Sequence, residues 1–233
     1  HHYYGPGTNA GYVALAYADR LVGDVIETVK RTGLLSKTTF VVTTDHGFKN
    51  VSHYLRLNVA LQKAGLAKSS GPTLGQADAA VLSLGGTALV YVTDRARRAE
   101  LLPRLKELFT THEGIKQVID GSDGPSLGMP DSREYALMGD LILVAKDGYL
   151  FDNSAAGDDT VLPTFNYAAT HGYPASDPEL RGIFIASGAG IKKGVKLPHI
   201  SNLDIAPTLA RLLDLQLPEQ EGRVLQEILT DVR

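Results

Sequence analysis

The sequence predicts an α/β core with a small α+β lobe inserted in it, and three observations carry that prediction. A long amphipathic helix leads into a short β-branched strand that ends in Asp45-His46-Gly47. A second apolar strand, 182–186, is followed by a glycine turn and a closing helix. Between these halves runs a strand–helix–strand–hairpin succession with hydrophobic periodicity of its own. The expected boundaries are 1–65 with 165–233 for the core and 66–164 for the lobe.

The elements follow in order. The opening His1-His2-Tyr3-Tyr4-Gly5-Pro6-Gly7-Thr8 has no methionine and reads as a loop cut in the middle, with a tag remnant or a mobile terminus as alternatives. Residues 11–32 predict a helix whose apolar face is Ala14, Tyr17, Ala18, Leu21, Val22, Val25, Ile26 and Val29, closed by Gly33. Phe40, Val41 and Val42 mark 39–44 as a buried strand. Leu57, Ala60 and Leu61 suggest a short helix over 54–64, and 69–75 is a Ser/Gly/Pro loop. Residues 86–93 read as a strand, after which Asp94 caps a helix to about residue 111 with Leu101, Leu102, Leu105, Leu108 and Phe109 inward. Strands at 115–119 and 140–145 follow, and Lys146-Asp147-Gly148-Tyr149 looks like a hairpin turn returning through Leu150 and Phe151. A polar stretch, 153–170, delivers Thr170-His171-Gly172-Tyr173 ahead of the buried strand 182–186. Ser201 to Asp204 cap a helix over 205–213, with Pro207 in its first turn, and 222–232 closes the chain as a short helix.

Composition narrows the chemistry. The 233 residues are 43% hydrophobic and 21% charged, enough for a large core. A net charge of −3 without a basic run argues against a nucleic-acid polymer as main partner. No run nears the ~18 apolar residues of a membrane span. Cysteine is absent, so a metal would be held by His, Asp and Glu.

Of seven histidines, His53, His112 and His199 read as solvent-exposed or capping imidazoles. His2, His46 and His171 stand on loops at strand or helix ends, where ligands of open α/β sheets gather. With Asp45 they form a nitrogen and oxygen donor set suited to zinc, manganese or iron. As a bare tripeptide, Asp45-His46-Gly47 reads more readily as a turn aspartate beside a hydrogen-bonded histidine than as a metal site.

Four motifs in sequence order point further. They are His2-Tyr3-Tyr4-Gly5-Pro6, Thr43-Thr44-Asp45-His46-Gly47-Phe48, His171-Gly172-Tyr173 with the strand through Gly188, and Asn202-Leu203-Asp204-Ile205-Ala206-Pro207-Thr208. Together they resemble the carboxyl-terminal half of the type I phosphodiesterase/nucleotide pyrophosphatase family, in the alkaline phosphatase superfamily. The resemblance implies a partial three-layer α/β/α sandwich and a metal-dependent hydrolase of phosphodiester or pyrophosphate bonds. It implies two zinc ions about 4 Å apart, with Asp45 and His46 among the ligands of the nucleophile-side ion and His2 and His171 among those of the other. Tyr4 and Tyr173 are candidate substrate contacts for a small, nucleotide-like phosphate ester.

The departures are equally specific. Nothing here matches the family's Thr or Ser nucleophile or two further metal aspartates, so the catalytic residue is expected outside this chain and the fragment alone is expected to be inactive. The missing amino-terminal half is then the expected partner, covering sheet edges and apolar area that this piece would expose. An extracytoplasmic location follows from the resemblance only. Alternatives are a non-catalytic metal-binding relative, or a superfamily phosphonate hydrolase, phosphatase, phosphomutase or sulfatase.

Overall fold

The computed structural model describes residues 1–230, a mixed α/β chain. Its elements are α1 (Asn9–Arg31), β1 (Thr39–Thr43), β2 (Lys49–Leu55), α2 (Leu57–Lys63), β3 (Ala67–Ser70), β4 (Thr73–Ala77), β5 (Ala79–Ser83) and β6 (Thr87–Val92). There follow α3 (Arg98–Thr110), β7 (Ile115–Asp120), β8 (Leu141–Ala145), β9 (Gly148–Phe151), β10 (Val161–Pro163), β11 (Ala169–Thr170), β12 (Phe184–Gly188) and α4 (Ile205–Leu212). The chain forms two compact units, 1–14 with 46–181, and 15–45 with 182 onward.

The core of the larger unit is built on a four-stranded antiparallel sheet in the order β5-β6-β8-β7. Leu141 and Leu143, two apart on β8, join Val90 and Val92 of β6 in one apolar cluster. Leu101, Leu105 and Phe109 repeat every four residues along α3 and complete that cluster, together with Leu57 and Leu61 of α2. Asp94 caps as expected, its carboxylate accepting from the Ala96 N–H at 3.2 Å, but a 3₁₀ turn, Arg95–Arg97, precedes the α-helix.

Asp140, just before β8, is a buried carboxylate bonded to Arg95 Nη1 at 2.8 Å, Arg98 Nε at 2.7 Å and the Val92 N–H at 2.8 Å. Burial opposes its ionisation, but Arg98, the Val92 N–H and Arg95 outweigh burial and hold the carboxyl below the usual carboxylate range. A depressed folded value gives stability that is complete above the unfolded value, about 4, and is lost as pH falls through the folded one. Acid unfolding of Asp140→Asn, followed by circular dichroism, is therefore expected to be flatter below about pH 4 than that of the parent. An unchanged acid limb would contradict the assignment.

A second sheet gathers on β2, with β10 and β11 antiparallel to it and β9 parallel. Here the sequence expectation needs three corrections. Residues 54–56 are not helical: β2 ends at Leu55 and α2 starts only at Leu57, because distant strands claim the backbone of 49–55. Leu150 and Phe151 do not return along β8 as a hairpin; β9 runs parallel to β2, pairing Leu150 with Tyr54 and Phe151 with Leu55. The Ser/Gly/Pro segment is the tip of a β3–β4 hairpin rather than a plain loop.

In the smaller unit β1 and β12 pair antiparallel, Val41 opposite Ala186. Phe184 and Ala186 pack with Ile191, Leu212, Leu225, Ile228 and Leu229, whereas Ile185 faces outward, more than half exposed. Both strands were expected to be buried; β1 is mostly half-buried and β12 partly exposed, since among the described residues they form a two-stranded sheet of their own. α1 forms as the periodicity predicts, yet Tyr17, Leu21 and Val25 of its apolar stripe are exposed. Ser201 and Asp204 form a reciprocal capping box ahead of α4. The expected closing helix is a single 3₁₀ turn, Gln226–Ile228, and residues 231 and 232 of that expectation lie outside the described residues.

Candidate metal centre

β11 is two residues long and ties together three segments of the larger unit. On one side Thr170 pairs with Lys49 and Ala169 with Asn50, fixing the run His46–Phe48 that enters β2. On the other side the N–H groups of Ala168 and Ala169 donate to the His2 carbonyl at 2.7 and 3.1 Å. The His2 ring closes the contact, Nδ1–H donating to the Ala169 carbonyl at 3.1 Å. His171 is the next residue after β11, so three histidines far apart in sequence reach one end of the strand pair.

Their rings meet. His46 and His171 stack with centroids 3.9 Å apart, and His2 lies 5.3 Å from His171. Phe48 sits among them, 4.9 Å from His2, 5.4 Å from His46 and 5.8 Å from His171, with the His1 ring at 5.5 Å. The His46 Nδ1–H donates to the Gly47 carbonyl at 2.8 Å. Metal-ligating imidazoles characteristically donate the second ring nitrogen to a carbonyl or carboxylate. In His2 and His46 that bond makes Nε2 the nitrogen through which each ring would ligate.

Both motif glycines have steric reasons. Gly172 adopts φ +78°, and a Cβ there would run into the Leu84 carbonyl oxygen. A Cβ at Gly47 would crowd the carbonyls of Glu179 and Arg181, and the Gly47 N–H donates to the Leu180 carbonyl at 2.7 Å.

Asp45 precedes His46 in the chain and is exposed, its carbonyl accepting from Asn202 Nδ2 at 2.9 Å. Among the described residues no group of three or more His, Asp and Glu side chains is arranged to enclose a metal ion. The donor chemistry and the anchoring of two imidazoles therefore fit a metal, while a closed ligand set is not formed by these residues alone. Tyr4 is exposed beside the cluster's opening loop. Tyr173 is buried, its hydroxyl donating to the Tyr149 carbonyl. Elsewhere His53 stacks on Tyr149 and bonds Ser52, and burial pushes the His112 imidazole below its usual range.

Sequence reasoning missed Lys49. Its side chain is 8% exposed, with Nζ 2.6 Å from Asp177, 2.8 Å from Asp147 and 3.3 Å from Glu179. It also lies 5.1 Å from the centre of the Tyr173 ring. Burial works against its charge, but the three carboxylates prevail and raise it above the usual lysine value. The signal was a strand alternation, Lys49 and Val51 inward and Asn50 and Ser52 outward, hidden by its polar composition.

Comparison with known proteins adds the wider context. The profile of the family described as type I phosphodiesterase/nucleotide pyrophosphatase matches residues 1–174. The chain is 24% identical over 226 residues to the bis(5'-adenosyl)-triphosphatase ENPP4 of Pongo abelii, covering 95% of this chain and 43% of that protein. Human ectonucleotide pyrophosphatase/phosphodiesterase 5 superposes with a TM-score of 0.76 at 19% identity, over 99% of this chain and 55% of the other. The murine counterpart, solved as an inactive variant with AMP, gives 0.71 at 19% identity over 98% and 55%. The chain thus spans about half the length of the relatives it matches.

Proposed function

Because the chain belongs to the type I phosphodiesterase/nucleotide pyrophosphatase family, in the alkaline phosphatase superfamily, we propose that it supplies part of a two-zinc centre hydrolysing phosphodiester or pyrophosphate bonds of nucleotide-like substrates. The observation that carries this reading is the gathering of His2, His46 and His171 around Phe48, two of them anchored through Nδ1. Asp45 and His46 would hold the nucleophile-side ion, and His2 and His171 the other. Bound there, the ions would neutralise the phosphoryl oxygens and lower the pKa of the attacking hydroxyl. The chain's own contribution is to fix tautomers: a carbonyl holding the proton on Nδ1 keeps Nε2 as a neutral donor.

We assign the nucleophile, a threonine or serine, and two further carboxylates to the amino-terminal half of the intact protein. Support comes from the half-length coverage of the relatives, and from one solved relative being inactive as a threonine-to-alanine variant bound to AMP. The open stripe of Tyr17, Leu21 and Val25 and the outward Ile185 are surfaces that half would cover. Tyr4 is the candidate substrate contact. Tyr173, being buried, is given a supporting place beneath the site instead. Residues 66–164 are read as the lobe inserted into the 1–65 and 165–233 core. An extracytoplasmic setting accords with the relatives named as ecto-enzymes, and no helix among the described residues is long and apolar enough to cross a membrane.

The test is hydrolysis of a chromogenic nucleotide phosphodiester by the intact protein. Zinc-loaded protein is expected to turn it over and to lose that activity on chelation, with activity returning when zinc is restored. Folded, zinc-bound protein that leaves the ester intact would contradict hydrolysis and favour a non-catalytic metal-binding relative.

A further inference from the structure

We propose that Lys49 is a positioning residue for the histidine cluster, its buried ammonium clamping the 171–181 segment onto β2 and so setting the separation of the His46 and His171 rings. Only the zinc arm of the test below rests on the metal-centre reading.

The near end of that segment is held by the Gly86 N–H donating to the His171 carbonyl at 2.8 Å, and two ties hold its far end beside His46. At Gly47 the N–H donates to the Leu180 carbonyl, 2.7 Å away. Two residues on, Lys49 Nζ reaches Asp177 at 2.6 Å and Glu179 at 3.3 Å. Asp177 is itself the cap of the 3₁₀ turn Pro178–Leu180, its other oxygen accepting from the Glu179 N–H at 3.1 Å. The ammonium therefore grips the same turn whose last carbonyl Gly47 uses. Tyr173, two residues after His171, lies against Lys49 and is pinned at its far end by the Tyr149 carbonyl. Asp147, at the β8–β9 connection, binds the third side of the ammonium at 2.8 Å.

Charge makes the clamp more than a bridge. One cation serves three carboxylates, but Asp147 and Glu179 are largely exposed and Asp177 is mostly buried, so removing the cation chiefly leaves Asp177 desolvated without its ion pair. The Asp177 carboxylate would then turn toward water and draw the 171–181 segment away from β2. His171 leads into that segment and His46 leads into β2, so the two rings should part.

The intact protein, freed of metal and labelled in its histidines, allows a direct test by NMR. The parent should give a cross-peak between the His46 and His171 ring protons. Lys49→Met is expected to lose it with the rest of the spectrum still folded, and Lys49→Arg to keep it. Zinc titration against a chromogenic chelator should show affinity reduced about tenfold or more in Lys49→Met, the scale of losing an outer-shell partner. A cross-peak that survives in a folded Lys49→Met chain, or is lost equally in Lys49→Arg, overturns the proposal. Should Lys49→Met fail to fold, Asp177→Asn decides: a weakened cross-peak supports the clamp and an unchanged one overturns it. Failure of the parent to bind zinc, with the cross-peak pattern as described, would sink the metal reading and leave the clamp standing.

Discussion

Replacing His171 with alanine is expected to abolish turnover by the intact enzyme and to weaken zinc binding by more than about a hundredfold, beyond what loss of an outer-shell partner costs. The ring stacks on His46 at 3.9 Å and sits 5.3 Å from His2, so its loss removes the one imidazole that neighbours both. Stability should change little, by roughly 0.5–1 kcal/mol, because His171 is only half-buried and ends a strand rather than filling a core. Calorimetric zinc titration with a parallel thermal melt checks both halves of the expectation. Normal hydrolysis and normal zinc affinity in His171→Ala would remove His171 from the centre. A collapsed melt would give it a structural role instead.

The largest effect on stability is expected at Phe109. Its side chain is fully buried at the end of the Leu101–Leu105–Phe109 stripe, in the cluster that joins α3 to the four-stranded sheet. Phe109→Ala deletes an aromatic ring from packed surroundings, and the transfer and cavity contributions together amount to about 3–5 kcal/mol. For a chain of this length that corresponds to a fall in melting temperature on the order of 10 °C. The same substitution should leave the His46–His171 stacking intact, since neither ring belongs to that cluster. A loss below about 1 kcal/mol would mean that α3 does not anchor the core as described.

These two sites also mark how far the sequence could be read. The α3 stripe and its Asp94 cap were legible because both signals are local: a repeat of four residues, and a carboxylate just before it. Lys49-Asn50-Val51-Ser52-His53 gave no such signal. Its strand exists through partners about 100 or more residues away at β9, β10 and β11, and long-range pairing overrode a polar composition. The same blindness hid the Lys49 clamp, whose three carboxylates come from residues 147, 177 and 179. Strand burial was misjudged for a different reason. Apolar content at 39–44 and 182–186 says that those residues are suited to burial, not what lies over them. The histidines stood out through their motifs, whereas the central place of Phe48, touched by four imidazole rings, needed coordinates.

The most direct measurement is anomalous diffraction at the zinc edge from crystals of the intact protein grown with zinc. The account predicts two peaks, with Nε2 of His2, Nε2 of His46 and a ring nitrogen of His171 each about 2.0–2.1 Å from one of them. The peak nearer His46 should also take an oxygen of Asp45. Zinc bound elsewhere, with the three imidazoles uncoordinated in a folded protein, would contradict it.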